Sequence, residues 1–128
     1  SDNVLRGGLT PKHIDRAELM QVLQFAPAAP GIVAAKPRSA TETLFPTPAD
    51  EFVLARIDLT PGETHEAHHD RTVEILLVTE GEAILEGPRQ RPLQVKRGES
   101  VLIPAAAGAY RLAGRAVCYK AGVPALSA

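Results

Sequence analysis

The sequence predicts an all-β domain, a sandwich or barrel of short strands preceded by an arm and one short helix. The 128 residues suit one hydrophobic core. From Glu51 onward, short apolar or alternating runs are separated by Pro-Gly, Glu-Gly, Gly-Pro and Arg-Gly punctuation every eight to twelve residues. Only residues 15 to 25 carry a helical period.

In chain order, the first element is that helix, which follows Pro11. Ala17, Leu19, Met20 and Leu23 fall three or four apart, and Asp15 with Glu18 forms a capping-box pair. Between Ala26 and Asp50, Pro27, Pro30, Pro37, Pro46 and Pro48 break any helix and leave room only for edge strands such as Gly31 to Ala35. The expected organisation is therefore an arm with helix over 1–27, a Pro-rich connector over 28–50 and a β-domain over 51–128. The β-domain reads as eight runs: Phe52–Leu59, His65–His69, Val73–Thr79, Glu82–Glu86, Pro92–Val95, Ser100–Ile103, Ala109–Leu112 and Arg115–Lys120. Val73–Thr79 has little polar alternation, which predicts a central strand covered on both faces, with Gly81 marking a turn after it. Gly62-Glu63-Thr64 and Gly98-Glu99-Ser100 stand 36 residues apart, each opening a strand after a turn, as two halves of a jelly roll would.

Composition narrows the function. Apolar residues are 45%, charged residues 23% and aromatics 4%, so the chain is globular with an aliphatic core. Fourteen Lys and Arg against fifteen Asp and Glu give a formal charge of −1, which argues against a nucleic-acid surface. The basic residues Arg89, Arg91, Lys96 and Arg97 gather around a turn with no interleaved aromatic, so they read as a solvated tip. No apolar run is long enough to span a bilayer, and the start has neither a basic region nor an apolar stretch, so no membrane partner or export signal is expected. The lone Cys118, in an apolar run, reads as a buried structural thiol in a reducing, cytoplasmic compartment, and Tyr110 and Tyr119 as partly buried packing residues. The chain opens on Ser1 rather than Met, as expected of a processed chain or a portion of a longer one.

Two constellations carry chemistry. Gly62, five residues, His68, His69, Asp70, three residues, Glu74, six residues and Gly81 resemble the first cupin motif, with Asp70 where the second histidine stands. The second cupin motif is half present: Gly98 and Pro104 are in place, but Ala109 occupies the last histidine position. Even offsets share a strand face, so His68, Asp70 and Glu74 would converge if no bulge intervened, with His65 and His69 pointing the other way. An oxygen-rich trio of that kind suits manganese or iron better than a closed zinc cage, but lacks a fourth protein ligand.

The second constellation is Ser1-Asp2-Asn3-Val4-Leu5-Arg6-Gly7-Gly8-Leu9-Thr10-Pro11-Lys12-His13-Ile14-Asp15. It resembles the segment of type I mannose-6-phosphate isomerases that carries an active-site arginine and a nearby lysine, ahead of a short helix and a carboxy-terminal β-domain. The resemblance implies a cupin-like jelly-roll β-sandwich with an amino-terminal arm. It also implies aldose–ketose isomerisation of mannose 6-phosphate to fructose 6-phosphate, zinc-dependent in the full-length protein, with Arg6 and Lys12 as catalytic residues. Such an isomerisation moves a proton between adjacent carbons, so cationic donors must hold an enediolate oxygen and a dianionic phosphate. Arg6 offers a planar fork, Lys12 a movable point charge, and Gly7 and Gly8 close backbone approach or positive φ. The family's zinc ligands lie upstream of the segment that begins here, so this chain is expected to hold no cofactor and to be inactive alone, with a sugar phosphate as the full-length protein's substrate. Two alternatives remain open from the residues: an independent metal-dependent cupin enzyme using His68, Asp70 and Glu74, and a non-catalytic sugar-binding or assembly module.

Overall fold

The structure is a computed structural model that describes residues 5–27, 29, 31–88 and 91–124. Backbone contacts divide it into two units, Ser1–Gly31 and Ile32–Ala128. The first four residues of the isomerase-like segment, and Arg89 of the basic cluster, lie outside the described residues.

In the first unit, helix α1 spans Arg16–Val22, shorter than its apolar period suggested. Its start is the one the capping pair predicts, with the Asp15 carboxylate accepting from the Glu18 N–H at 2.9 Å. It stops at Leu23, whose backbone is already extended (φ −71°, ψ 129°), four residues ahead of Pro27. None of its residues is buried.

The second unit is one antiparallel sheet of eight strands: β1 Lys36–Pro37, β2 Glu42–Phe45, β3 Val53–Leu59, β4 Thr64–Glu66, β5 Glu74–Glu86, β6 Leu93–Lys96, β7 Ser100–Ile103 and β8 Arg111–Gly122. The order is β1-β2-β3-β8-β5-β6, with β4 also on β8 and β7 also on β5. The two long strands serve both halves of the sheet. Residues 74–77 of β5 pair with β7 and 82–85 with β6, while residues 111–113 of β8 pair with β4 and 116–122 with β3. Alternate residues from this winding, including Ile57, Leu76, Val78, Leu85, Val95, Leu112 and Cys118, fill an aliphatic core.

Three expectations are corrected. Val73–Thr79 and Glu82–Glu86 are parts of one strand, as are Ala109–Leu112 and Arg115–Lys120. The glycines read as breaks are bends instead: β5 bulges between Val78 and Glu80, and a Cβ on Gly81 (φ 68°) would lie 2.0 Å from the Arg115 carbonyl oxygen. Residues 36–45, in the Pro-rich stretch, contribute β1 and β2, because Pro37 falls in a strand at the sheet edge where its missing N–H costs no ladder bond. Strand β5 is central, but it is covered on one face only, since Ile75 and Leu77 are 50% and 39% exposed.

The 36-residue echo has a structural counterpart. Gly62 and Gly98 adopt φ of 91° and 84°, as the third position of a Pro-Gly-type turn demands. In each turn the following glutamate closes the loop twice. Glu63 N–H donates to the Thr60 carbonyl at 3.0 Å and the Glu63 carboxylate accepts from the Thr60 N–H at 3.0 Å; the matching Glu99–Lys96 distances are 2.9 and 2.8 Å.

Candidate functional site

In the first unit, Arg6 is half-buried and Lys12 is exposed, with the Lys12 N–H donating to the Thr10 hydroxyl at 3.2 Å. The turn between them is not opened by its glycines: positive φ falls on Leu9 (56°), and neither Gly7 nor Gly8 adopts it. Gly7 instead allows close packing, because a Cβ there would meet the Leu19 side chain at 3.1 Å, and its carbonyl accepts from Arg16 at 3.3 Å. The result is a short cationic turn held against the first residues of α1.

In the second unit, the inner face at one end of the sheet is charged. Lys120 occupies an inward position of β8 opposite Ala55 and Leu76, one step from Cys118 and one from Gly122. Glu42 on β2 lies in the Cys118 row and Glu74 on β5 in the Gly122 row, so the two carboxylates flank the ammonium. Lys120 Nζ is 2.6 Å from Glu42 Oε1 and 3.4 Å from Glu74 Oε1, with side-chain exposures of 5%, 0% and 8%. Tyr110 donates its hydroxyl to Glu74 Oε2 at 3.0 Å, and Arg71 lies 3.5 Å from the same oxygen. Arg71 also donates to the Gly108, Pro104 and Thr72 carbonyls and stacks over the Tyr110 ring, tying two loops together. At the rim, His68 Nε2 is 3.2 Å from Glu42 Oε2, and Arg38 is 4.0 Å from Glu42 and 3.8 Å from Asp70.

These contacts set the titration of the cluster. Burial pushes the Glu42 carboxyl up, but the Lys120 ammonium, assisted by Arg38, more than reverses this and leaves it below the ordinary range. Beneath it His65 is buried, accepts from or donates to the Thr41 hydroxyl at 3.2 Å, and is lowered to about 4 by burial and by the Lys120 charge. It is therefore neutral at physiological pH. Burial and then the Glu74 charge raise the Tyr110 phenol, and burial raises the Cys118 thiol to about 11.

His68, Asp70 and Glu74 therefore do not form the converging trio that their spacing suggested. Strand β4 ends at Glu66, so His68 and Asp70 lie in a loop and the even-offset argument fails for them. Each has a different neighbour: Glu42, Arg38 and Lys120 respectively. Among the described residues, no group of three His, Cys, Asp or Glu side chains is placed to hold a metal ion. The buried carboxylates instead have Lys120 and Arg71 as their neighbours. Sequence reasoning passed over Glu42, Arg71 and Lys120. Only Lys120 left a trace, as a cation in the inward series Ala116, Cys118, Lys120. His65, expected to point away from the trio, is buried and bonded to Thr41, and Tyr110 does more than pack. Of the basic tip, Arg91, Lys96 and Arg97 are exposed.

A cavity of about 340 Å³ opens above this cluster, walled by Leu44, Val53, Ala55 and Val123. An antiparallel sheet wound on two shared long strands, with an aliphatic inner face and a polar mouth, defines a cupin-type domain, here with cationic side chains between the carboxylates. Its particular kind follows from comparison: the family model for the mannose-6-phosphate isomerase cupin domain matches residues 41–120, and the chain belongs to that family. Mannose-6-phosphate isomerase of Salmonella typhimurium is 44% identical over 106 residues, 82% of this chain and 26% of that protein. The Escherichia coli isomerase is 41% identical over 107 residues, with the same shares. The crystal structure of the Salmonella isomerase bound to its substrate fructose 6-phosphate and to zinc superposes with a TM-score of 0.78 at 34% identity, over 96% of this chain and 31% of that one. The chain thus spans about a quarter of the length of the curated relatives it matches.

Proposed function

We propose that this chain is the carboxy-terminal portion of a mannose-6-phosphate isomerase and that it contributes Arg6, with Lys12, to the site where mannose 6-phosphate and fructose 6-phosphate interconvert. The observation that carries this reading is the superposition on an isomerase with substrate and zinc, at 34% identity over 96% of the chain. In this role the Arg6 guanidinium holds a phosphate or the enediolate oxygen through two parallel N–H donors. Lys12, exposed on the same turn, adds a second positive charge for the same anion. Zinc is present in the relative. The described residues of this chain do not fit it, because no ligand set is assembled and the buried carboxylates are already neutralised. A cytoplasmic setting belongs to the same reading and is supported by Cys118, a buried free thiol. Among the described residues, no helix is long and apolar enough to cross a membrane.

Two measurements test the proposal. The purified chain, supplied with zinc and mannose 6-phosphate, should form no fructose 6-phosphate above the blank, and sustained turnover would overturn the view that the chain is a contributor rather than a complete enzyme. In the full-length protein, Arg6→Met should lower kcat/KM by about 100-fold or more with the fold intact. Unchanged turnover would remove Arg6 from the site.

A further inference from the structure

The charged end of the β-unit is costly to build. A buried ion pair gains little over an apolar pair of the same volume, because both partners must leave water. Lys120, Glu42 and Glu74 are all less than a tenth exposed, and they form one end of the cavity rather than filling the core. A carboxylate has about four acceptor positions. Glu42 has Lys120 on one oxygen and His68 beside the other, and neither oxygen receives a well-aligned hydrogen bond. Both Glu42 oxygens are nevertheless sealed from water, and the carboxylate that the lining exposes is that of Asp70.

The chemistry of an occupant follows from charge, shape and size. Three carboxylates, Glu42, Asp70 and Glu74, face three cations, Arg38, Arg71 and Lys120, so these six side chains balance formally. No cation at the floor is spare, since Lys120 serves both carboxylates and Arg71 is consumed by backbone carbonyls and Glu74. A phosphate or other anion would meet the exposed Asp70 carboxylate without a free counter-charge. Hydroxyl groups suit the site better, because each can donate to a carboxylate and accept from Arg38 or His68. The walls from Leu44, Val53, Ala55 and Val123 suit the C–H face of a compact ring or chain. At about 340 Å³ the cavity is at the small end of ligand sites.

We propose that the cavity over Glu42 and Lys120 binds a neutral polyhydroxylated ligand of monosaccharide size, a free hexose or hexitol, through the exposed Asp70 carboxylate and the rim donors Arg38 and His68. The site lies wholly within Ile32–Ala128 and does not depend on the reading of Arg6.

Titration of the 128-residue chain with D-mannose, D-fructose and D-mannitol, followed by amide chemical shifts, tests it. Saturable shifts are expected at millimolar concentration, confined to residues 38–44, 68–74 and 120–124, with mannose 6-phosphate weaker by about tenfold or more. Val123→Trp, which fills the cavity from an exposed wall, and Arg38→Gln, which removes a rim donor, should each weaken binding about tenfold while keeping a dispersed spectrum. The proposal is overturned if none of the three probes shifts the lining residues at about 50 mM, or if Val123→Trp leaves binding unaltered. It is equally overturned if the phosphorylated sugar binds as well as the free one, or if glycine competes, which would mark a site for zwitterions. No turnover is measured, so failure here leaves the role of Arg6 standing, and an unimportant Arg6 leaves the cavity standing.

Discussion

An ammonium held between two carboxylates away from water costs more to remove than it contributes by being there. Lys120→Met would leave Glu42, fully buried, without its near counter-charge, while Glu74 would keep only Arg71. The expected loss of unfolding free energy is about 3–5 kcal/mol, measured by urea denaturation. Lys120→Met combined with Glu42→Leu should recover much of that loss, because the pair is replaced by apolar surface rather than broken. His65 gives a pH dependence of definite sign. Its folded pKa of about 4 lies below its unfolded value of 6.5, so the unfolded chain binds more protons between the two. The stability it contributes is full above about pH 6.5 and declines as pH falls toward about 4, by an amount on the order of 2–3 kcal/mol. Glu42, held below its ordinary value, adds a loss only at lower pH, below 4.5. Urea unfolding at pH 7 and at pH 4.5 should show the decline, and His65→Gln should flatten it. A decline of the same size in that variant would move its origin elsewhere. His65 was not legible as part of a site, and Lys120 was legible only as a cation in an inward series. A buried neutral histidine has the same letter as a solvated one, and Lys120 gains its partners from strands far away in the chain.

Strands β5 and β8 run through positions where the sequence suggests breaks. Gly81 and Gly114 are the reason in both cases: their φ values are 68° and 135°, and an added Cβ would lie 2.0 Å from the Arg115 carbonyl oxygen or 2.6 Å from that of Glu82. Glycine here permits the close passage of two backbones, whereas glycine at Gly98 merely permits a turn, with nothing within 4 Å of the added atom. Gly81→Ala and Gly114→Ala should therefore each cost more than Gly98→Ala, which incurs only the strain of a left-handed residue, about 1 kcal/mol. Thermal unfolding of the three variants ranks them, and equal losses would show that the bends relax freely. The rhythm of runs and punctuation revealed the all-β architecture and the capped start of α1. It did not reveal which glycines turn the chain and which let it continue, because that depends on what passes opposite. Strand β2 was hidden for a related reason: its four residues sit among prolines, and their pairing comes wholly from β1 and β3.

Across the whole chain, the two sources of functional information behave differently. The arm's motif was readable because its residues are contiguous, so family membership could be anticipated from a fifteen-residue segment. The charged cavity was not, because its lining comes from β2, β3, the 68–72 stretch, the start of β5 and the end of β8. The spacing of His68, Asp70 and Glu74 misled because it assumed a strand where there is a loop. Since Lys120 and Arg71 supply the positive charge at the mouth of the sheet, the melting temperature of the chain should be unaffected by millimolar EDTA. A drop on chelation would mean that a metal contributes to the fold after all. In a barrel of metal-binding design, the central charge is a guest that can be lost to scarcity or exchanged for the wrong ion. Here it is peptide-bonded to strand β8, so the geometry at the mouth is inherited with the gene and is indifferent to the cell's supply of trace elements.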